Sequence, residues 1–228
     1  MKKNIFILII SICMLHSGVS IYLGYSMAVN SEYDVYIDGS SLGGPHISFS
    51  NEIEFDNSMI FAFDVPIYEF DEVIIKGGIS YMVQPLEKEN LEAILLYSGK
   101  KYQKKTDLSI GRVYVKTIFP IENNLSFWIV GGLNDIKSKY LQFEILANFI
   151  PGNPVISLPF YQLDFKNDFS YGVGFDYKLE NGLLCGFSFI NDKSSFDAKL
   201  KLDEFYYLNV NSVEFEMLTK SIHLGYAF

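Results

Sequence analysis

Side chains suited to proton transfer are scarce in this sequence, and their spacing offers little chemistry. The 228 residues include three histidines, of which His46 and His223 lie beyond the first twenty residues. Ser221 stands two positions before His223, and residues two apart share a face when the chain is extended. That arrangement is the least that an enzyme needs to place a base beside a nucleophile. Because no Gly-x-Ser-x-Gly elbow accompanies the pair, we expect no catalytic function and keep a lipid-modifying enzyme only as an alternative.

A larger group of candidates consists of isolated charges on the polar face of alternating segments. In "FSYGVGFDYKL" (169–179), Asp176 and Lys178 fall among small residues at even positions, while the odd positions are aromatic or aliphatic. If such faces line a closed sheet, their charges either pair and plug the interior or line a pore. Acids outnumber bases, so a pore would mildly favour cations. The predicted lumen-facing residues are Glu52, Glu54, Asp64, Lys76, Glu144, Asp176, Lys178, Lys220 and His223.

Two polar stretches, 30–45 and 191–212, are predicted to be long loops. The segment "NSEYDVYIDGSSLGG" (30–44) is acidic and contains tyrosines, which suits contact with a protein or a cation. Asp34 and Asp38 match the spacing of no established calcium loop, so no metal and no cofactor are expected. Surface binding or adhesion through these loops is an alternative to a channel.

Period-two alternation dominates the chain, and helical periodicity is almost absent. Two alternating runs flank the turn "ENG" (180–182), which is typical of a β-hairpin. The pattern at 108–119 indicates a change of face near Arg112, as a β-bulge would cause. Pro159 weakens the prediction of a strand at 155–163. The predicted strands are 21–29, 47–55, 59–67, 73–83, 91–98, 108–119, 125–133, 140–149, 155–163, 169–179, 183–190 and 217–228.

The first twenty residues differ from the rest of the chain. Lys2 and Lys3 precede the apolar run "IFILIISICML" (5–15), and small residues follow, which predicts a secretory signal peptide over 1–20. Ile12 stands before Cys13 where a lipoprotein signal has a small residue, so lipidation is not favoured. Removing the two lysines would change the formal net charge from −9 to −11, which argues against a nucleic-acid partner. The remaining domain, 21–228, keeps a single cysteine and therefore has no intrachain disulfide.

Two all-β architectures fit this alternation. A soluble sandwich turns its apolar faces inward, whereas a membrane-spanning barrel turns them outward to lipid. The polar faces here are rich in Gly, Ser and Ala, which suits the crowded inside of a narrow barrel, and aromatic residues gather near strand ends as in interfacial girdles. A closed barrel also has no edge strands. We therefore predict an all-β fold, a closed antiparallel transmembrane β-barrel with twelve strands, with ten or eight as alternatives.

The last strand carries the most specific resemblance. Ile222, Leu224, Tyr226 and Phe228 alternate and close on an aromatic residue, and this resembles the C-terminal assembly signal of bacterial outer-membrane β-barrel proteins. The resemblance implies recognition by the barrel-assembly machinery and residence in the outer membrane, in contact with lipid and lipopolysaccharide. It identifies no subfamily and no oligomeric state. The expected function is either a small porin-like channel with mild cation preference or a structural barrel with a plugged lumen.

Overall fold

The computed structural model describes residues 18–37, 47–85, 107–122, 124–139, 144–147, 156–201 and 207–228. These residues form strands joined by antiparallel pairings. None of the described residues forms a helix long and apolar enough to cross a membrane. The strands are β1 (Ser20–Ile37), β2 (Ile47–Phe55), β3 (Ser58–Phe70), β4 (Val73–Pro85), β5 (Asp107–Glu122), β6 (Leu125–Lys139), β7 (Glu144–Ala147), β8 (Ile156–Lys166), β9 (Asp168–Lys178), β10 (Leu183–Lys201) and β11 (Tyr207–Ala227).

Eight of the described strands close into a ring. The hydrogen-bonded order is β11-β1-β3-β4-β5-β6-β9-β10, and β10 pairs again with β11. The ring is staggered, because following the paired residues once around it from Ser20 returns to β1 at Ser31. Such a stagger tilts the strands and is the geometry by which a sheet becomes a barrel.

The remaining strands extend members of the ring. β2 pairs with the second half of β1, so β2 and β3 lie end to end along one partner. β8 and β9 are related in the same way along β10. The break between β2 and β3 leaves no unpaired backbone gap, because Asp56 donates its N–H to the carbonyl of Pro85 at 2.9 Å and its carbonyl accepts from the Gln84 amide.

The prediction of twelve strands is wrong. It counted 47–55 and 59–67 as two positions in the ring, although β2 and β3 pair with successive parts of β1 and share one position. It also counted 155–163 and 169–179 separately, although β8 and β9 share one position beside β10 in the same way. The predicted strand 91–98 lies outside the described residues, and only Glu144–Ala147 of 140–149 lies within them. The described parts of the predicted polar loops, 30–37, 191–201 and 207–212, are strand rather than loop, because β1 continues to Ile37, β10 continues to Lys201 and β11 begins at Tyr207.

The ring turns its apolar side chains outward. Val113, Leu133 and Leu224 are 66%, 64% and 60% exposed, whereas Asp64 and Asp192 are fully buried inside. On β10 the outward residues are apolar up to Phe189 and polar from Asn191 onward, which marks one edge of an apolar belt. Its members include Leu23, Phe61, Ile79, Val113, Val115, Ile129, Leu133, Phe187, Ile222 and Leu224.

Gly18 and Val19 meet the last residue, Phe228, at one end of the ring. Gly18 donates its N–H to the carbonyl of Phe228 at 2.6 Å, and Phe228 donates to Val19 at 2.9 Å. Val19 and Ser20 are fully buried. Residues 1–17 of the predicted signal peptide lie outside the described residues, so the boundary after Ser20 stays a prediction, and residues 18–20 contribute to the wall of the ring.

Candidate functional site in the lumen

β5 supplies two inward cations that the sequence prediction missed. The predicted change of face near Arg112 is wrong, because β5 pairs with β4 from Asp107 to Ile118 without a register shift. Unbroken alternation turns Val113 and Val115 outward and buries Arg112 and Lys116, which are 3% and 4% exposed. β5 therefore places two positive charges one above the other in the lumen.

Lys116 is the centre of an ionic cluster formed by Asp64, Lys116, Asp176 and His223. Its Nζ lies 3.2 Å from Asp176 Oδ2 and 3.5 Å from Asp64 Oδ2. His223 Nε2 lies 2.6 Å from the other oxygen of Asp176. All four side chains are less than a tenth exposed. The cluster joins strands β3, β5, β9 and β11 across the lumen.

Aromatic side chains enclose the cation of this cluster. Lys116 Nζ lies 4.3 Å from the ring centroid of Trp128 and 4.6 Å from that of Tyr22, and it donates to the Tyr22 hydroxyl at 3.3 Å. Tyr114 donates its hydroxyl to Asp64 Oδ1 at 2.5 Å. Ring faces stabilise an ammonium group more strongly where water is excluded. The cluster is thus held by ion pairs, hydrogen bonds and cation–π contacts together.

Glycines on neighbouring strands make room for these large side chains. A Cβ at Gly225 would lie 2.6 Å from the Tyr22 ring, and a Cβ at Gly78 would lie 2.5 Å from both Tyr114 and Asp64. A Cβ at Gly186 would lie 2.6 Å from His223 Nε2 and from Asp176 Oδ1. Narrow barrels fill their interior by pairing small residues with large ones in this way.

A second ionic layer lies beyond the first. Arg112 binds Asp192 in a bidentate pair, with Nε to Oδ1 at 2.7 Å and Nη2 to Oδ2 at 2.5 Å, and Ser170 donates to the same carboxylate at 2.5 Å. A cavity of about 60 Å³ separates the two layers, and Ser80 and Ser188 help to line it. The interior between the layers is therefore nearly filled.

Beyond Arg112 the interior holds both polar and apolar side chains, since Gln84 and Ser194 are buried beside Leu108 and Phe215. An apolar plug consists of Leu108, Ile110, Phe196, Phe215 and Met217, all 0–1% exposed. Phe165 packs against it, with ring centroids 5.1 Å from Phe196 and 5.4 Å from Phe215. At the opposite end, next to the chain termini, a terminal cavity of about 400 Å³ opens beside the ionic cluster.

The structure brings four of the predicted lumen residues into the interior, namely Asp64, Lys76, Asp176 and His223. Lys76 donates to the carbonyl of Gly18 and to Ser20 Oγ, each at 2.7 Å. Lys178 has an exposed side chain at the terminal cavity. The side chains of Glu52, Glu54 and Glu144, and residue His46, lie outside what the structure describes.

Lys220 requires a correction, because it does not face the lumen. β11 alternates so that Lys220 shares the outward face with Ile222 and Leu224, and its side chain is exposed. The assembly-signal residues share that face, with Ile222, Leu224, Tyr226 and Phe228 exposed by 50%, 60%, 44% and 42%. Their recognition by an assembly machinery stays a prediction.

The proposed serine–histidine pair is divided between different partners. Ser221 Oγ lies 2.7 Å from Ser188 Oγ, while His223 contacts Asp176. Of the residues that complete the lumen, sequence reasoning missed Tyr22, Arg112, Lys116, Trp128 and Asp192. The signal that finds the two cations is strict alternation through Val113, Val115 and Thr117, which sets the even positions of β5 on the inner face.

Comparison with known proteins is informative only at the level of structure. No protein-family model matches this chain, and no curated protein does. The solid-state NMR structure of outer membrane protein AlkL in lipid bilayers matches with a TM-score of 0.50 and 12% identity, over 93% of this chain and 90% of that one. The outer membrane protein OprG from Pseudomonas aeruginosa matches with a TM-score of 0.47 and 12% identity, over 93% and 97%. Ail, the attachment invasion locus protein of Yersinia pestis, matches with 0.43 and 16%, over 93% and 100%. The chain therefore has the fold of a small outer-membrane β-barrel protein, as the similarity to AlkL shows.

We predict that Lys116→Met strongly destabilises the protein. The substitution leaves Asp64 and Asp176 buried without their cation, and breaking a buried ion pair in this way costs about 3–5 kcal/mol. Urea unfolding of the protein in lipid vesicles measures the loss. Lys137→Met is the control, because the Lys137–Asp135 pair is exposed and contributes about 1 kcal/mol or less. Equal losses in the two variants would contradict a structural role for the cluster.

We also predict that Gly186→Ala disturbs the ionic cluster. The added methyl group collides with the backbone carbonyl oxygen of Phe175 and with the side chains of His223 and Asp176, and overpacking of this kind costs about 1–3 kcal/mol. Gly111→Ala is the matched control, since the nearest atom to its new Cβ is 3.9 Å away. The same unfolding measurement compares them, and a Gly186→Ala protein as stable as Gly111→Ala would count against the packing described here.

Proposed function

We propose that this protein is a sealed outer-membrane barrel that anchors an extracellular β-sheet projection, and that it is not a pore. The observation that carries the proposal is the apolar plug, whose side chains are 0–1% exposed inside the ring. An eight-stranded barrel has an interior just wide enough for side chains to fill. Two ionic layers lie beneath the plug, so an ion crossing the lumen would have to displace all three.

The apolar belt supports the membrane location. Soluble proteins rarely expose contiguous apolar surfaces of this extent, and the belt runs around strands that are all paired with neighbours. A closed ring satisfies its backbone groups internally, which lipid requires. The predicted signal peptide and the terminal aromatic residue favour the outer membrane of a bacterium in particular.

The projection is supported by the strands that continue past the belt. Beyond Asn191, the outward face of this region carries ion pairs between neighbouring strands, with Lys193 3.5 Å from Glu216 and Lys166 3.1 Å from Asp197. The backbone N–H of Ser212 donates to Asp197 at 2.7 Å, and this hydrogen bond together with Lys166 lowers the pKa of Asp197. A charged outer face suits water rather than lipid, so we place this end outside the cell.

We propose no catalytic role. The histidine of the lumen is bonded to Asp176 and packs edge-on against Tyr22, at 5.5 Å between ring centroids. The nearby Ser221 is bonded to Ser188. These contacts build the wall and the cluster, and the display of the projection is the activity that the geometry supports best.

The purified protein should carry no steady ion current in planar lipid bilayers, because the plug and the ionic layers block the lumen independently. Phe215→Ala should also remain closed, since both ionic layers persist in it. A general porin measured in the same bilayers shows that insertion is detectable. A stable open current from the unsubstituted protein would refute the sealed barrel and favour the mildly cation-selective channel.

Cysteine labelling should reveal the proposed orientation. In a Cys185→Ser background, Lys137→Cys should react with a membrane-impermeant maleimide on intact cells, because Lys137 is exposed near the end of β6 beyond the belt. Glu180→Cys, in the exposed turn before β10, should react only after the outer membrane is permeabilised. If Glu180→Cys is labelled on intact cells and Lys137→Cys is not, the proposed orientation is wrong and the opposite one is correct.

A further inference from the structure

The terminal cavity has the size and lining of a ligand site. It encloses about 400 Å³ beside the chain ends, which is within the range of small-molecule pockets. Its apolar wall is formed by Pro66, Ile74, Ile118 and Leu184. The Asp176 end of the ionic cluster closes its inner side. The cavity is thus a blind recess rather than a passage.

Lys76 brings an unpaired positive charge to this recess. It is 7% exposed, and its ammonium group donates to the Gly18 carbonyl and to Ser20 Oγ, each at 2.7 Å. An ammonium group has three donors, so one remains in the protein that keeps Gly18 and Ser20, and cleavage at the predicted boundary after Ser20 would leave all three. Among the residues that the structure describes, no carboxylate forms an ion pair with Lys76. A buried cation without a counter-ion is costly, and an anion in the recess would supply one.

The other charges around the recess are either held in ion pairs or exposed to solvent. Lys178 adds a second cation to the lining, and it too lacks an ion pair among the described residues. Asp176 also contributes to the lining, but its two oxygens are held by Lys116 and His223. Glu69 is exposed and is the one further acidic side chain in the described lining, which also includes Phe228, the last residue, with its main-chain carboxylate. Within the described residues, two lysines and two carboxylates outside ion pairs therefore line the recess, and of these four groups only Lys76 is buried.

We propose that the terminal cavity binds a small amphipathic carboxylate. The carboxylate head accepts the third hydrogen bond of Lys76, and a short aliphatic body packs against Ile74, Ile118 and Leu184. The ligand enters from the periplasm. This direction of entry rests on the orientation proposed above, whereas the binding itself does not. Binding itself does not depend on whether the barrel conducts.

Isothermal titration of the protein in lipid nanodiscs tests the proposal, with octanoate as the probe. Empty nanodiscs correct for partition of the probe into lipid, while octanol and octylammonium match its chain with a neutral and a positive head. We expect saturable binding of octanoate to one site, and no saturable binding of the other two. If octanol binds as well as octanoate, or octanoate does not saturate, the proposal is wrong.

Variants separate the recess from the rest of the protein. Lys76→Met should weaken octanoate binding about tenfold or more, because a charge-assisted hydrogen bond is lost. Lys178→Gln should weaken it about threefold, since this lysine is exposed. Lys220→Gln is the matched control, because it removes a lysine from the outward face and should leave binding unchanged.

A second variant tests the site without replacing Lys76, so that the result does not depend on whether Lys76→Met folds. Leu184→Trp keeps both lysines and fills the recess, so it should abolish saturable binding in a protein that still changes its gel mobility on boiling. Octanoate binding that survives in Leu184→Trp, or that is lost in Lys220→Gln, would place the site elsewhere and overturn the assignment. The bilayer current of the same samples reports separately on the sealed barrel.

Discussion

The structure depends on one buried cation that holds two carboxylates from different strands. Lys116 lies 3.2 Å from Asp176 and 3.5 Å from Asp64, and all three side chains are at most 5% exposed. Taking such charges out of water is expensive, and their mutual attraction offsets the expense only when every partner is in place. The cluster therefore ties distant strands to one register, because no other alignment brings both carboxylates to the same ammonium group.

This constraint accounts for the composition of the inner face. Large side chains that enclose Lys116 need facing residues without a Cβ, which is why Gly225 lies beneath Tyr22 and Gly186 beneath His223. Serines bridge the remaining wall, as between Ser188 and Ser221. Once these groups are packed, little room remains in the middle of an eight-stranded ring. A filled interior is thus a consequence of burying the ionic cluster rather than a separate feature.

The two ends of the lumen differ in chemistry, and this difference gives the barrel a direction. One end is closed by apolar side chains such as Phe196 and Phe215, packed as in the core of a soluble protein. The other end is an open recess in which Lys76 donates to the carbonyl of Gly18. Within the described residues, β1, β10 and β11 continue past the apolar belt at the closed end. The proposed projection and the proposed ligand recess are compatible in one molecule because the ionic layers separate them.

Alternation by itself determined that the chain is all-β, that 169–179 and 183–189 form a hairpin, and that Leu224 and Tyr226 share the outward face. These features are local, since they follow from the period of two in an extended chain. The number of strands, the pairing of Lys116 with Asp64 and Asp176, and the inward placement of Arg112 were decided only by the tertiary structure. The segments 47–55 and 59–67 share one position in the ring because β1 is long enough to pair with both. The residue pattern within either segment does not reveal this pairing. The register between strands far apart in sequence is set when the ring closes, because the closed ring determines which charged side chains lie next to each other in the lumen.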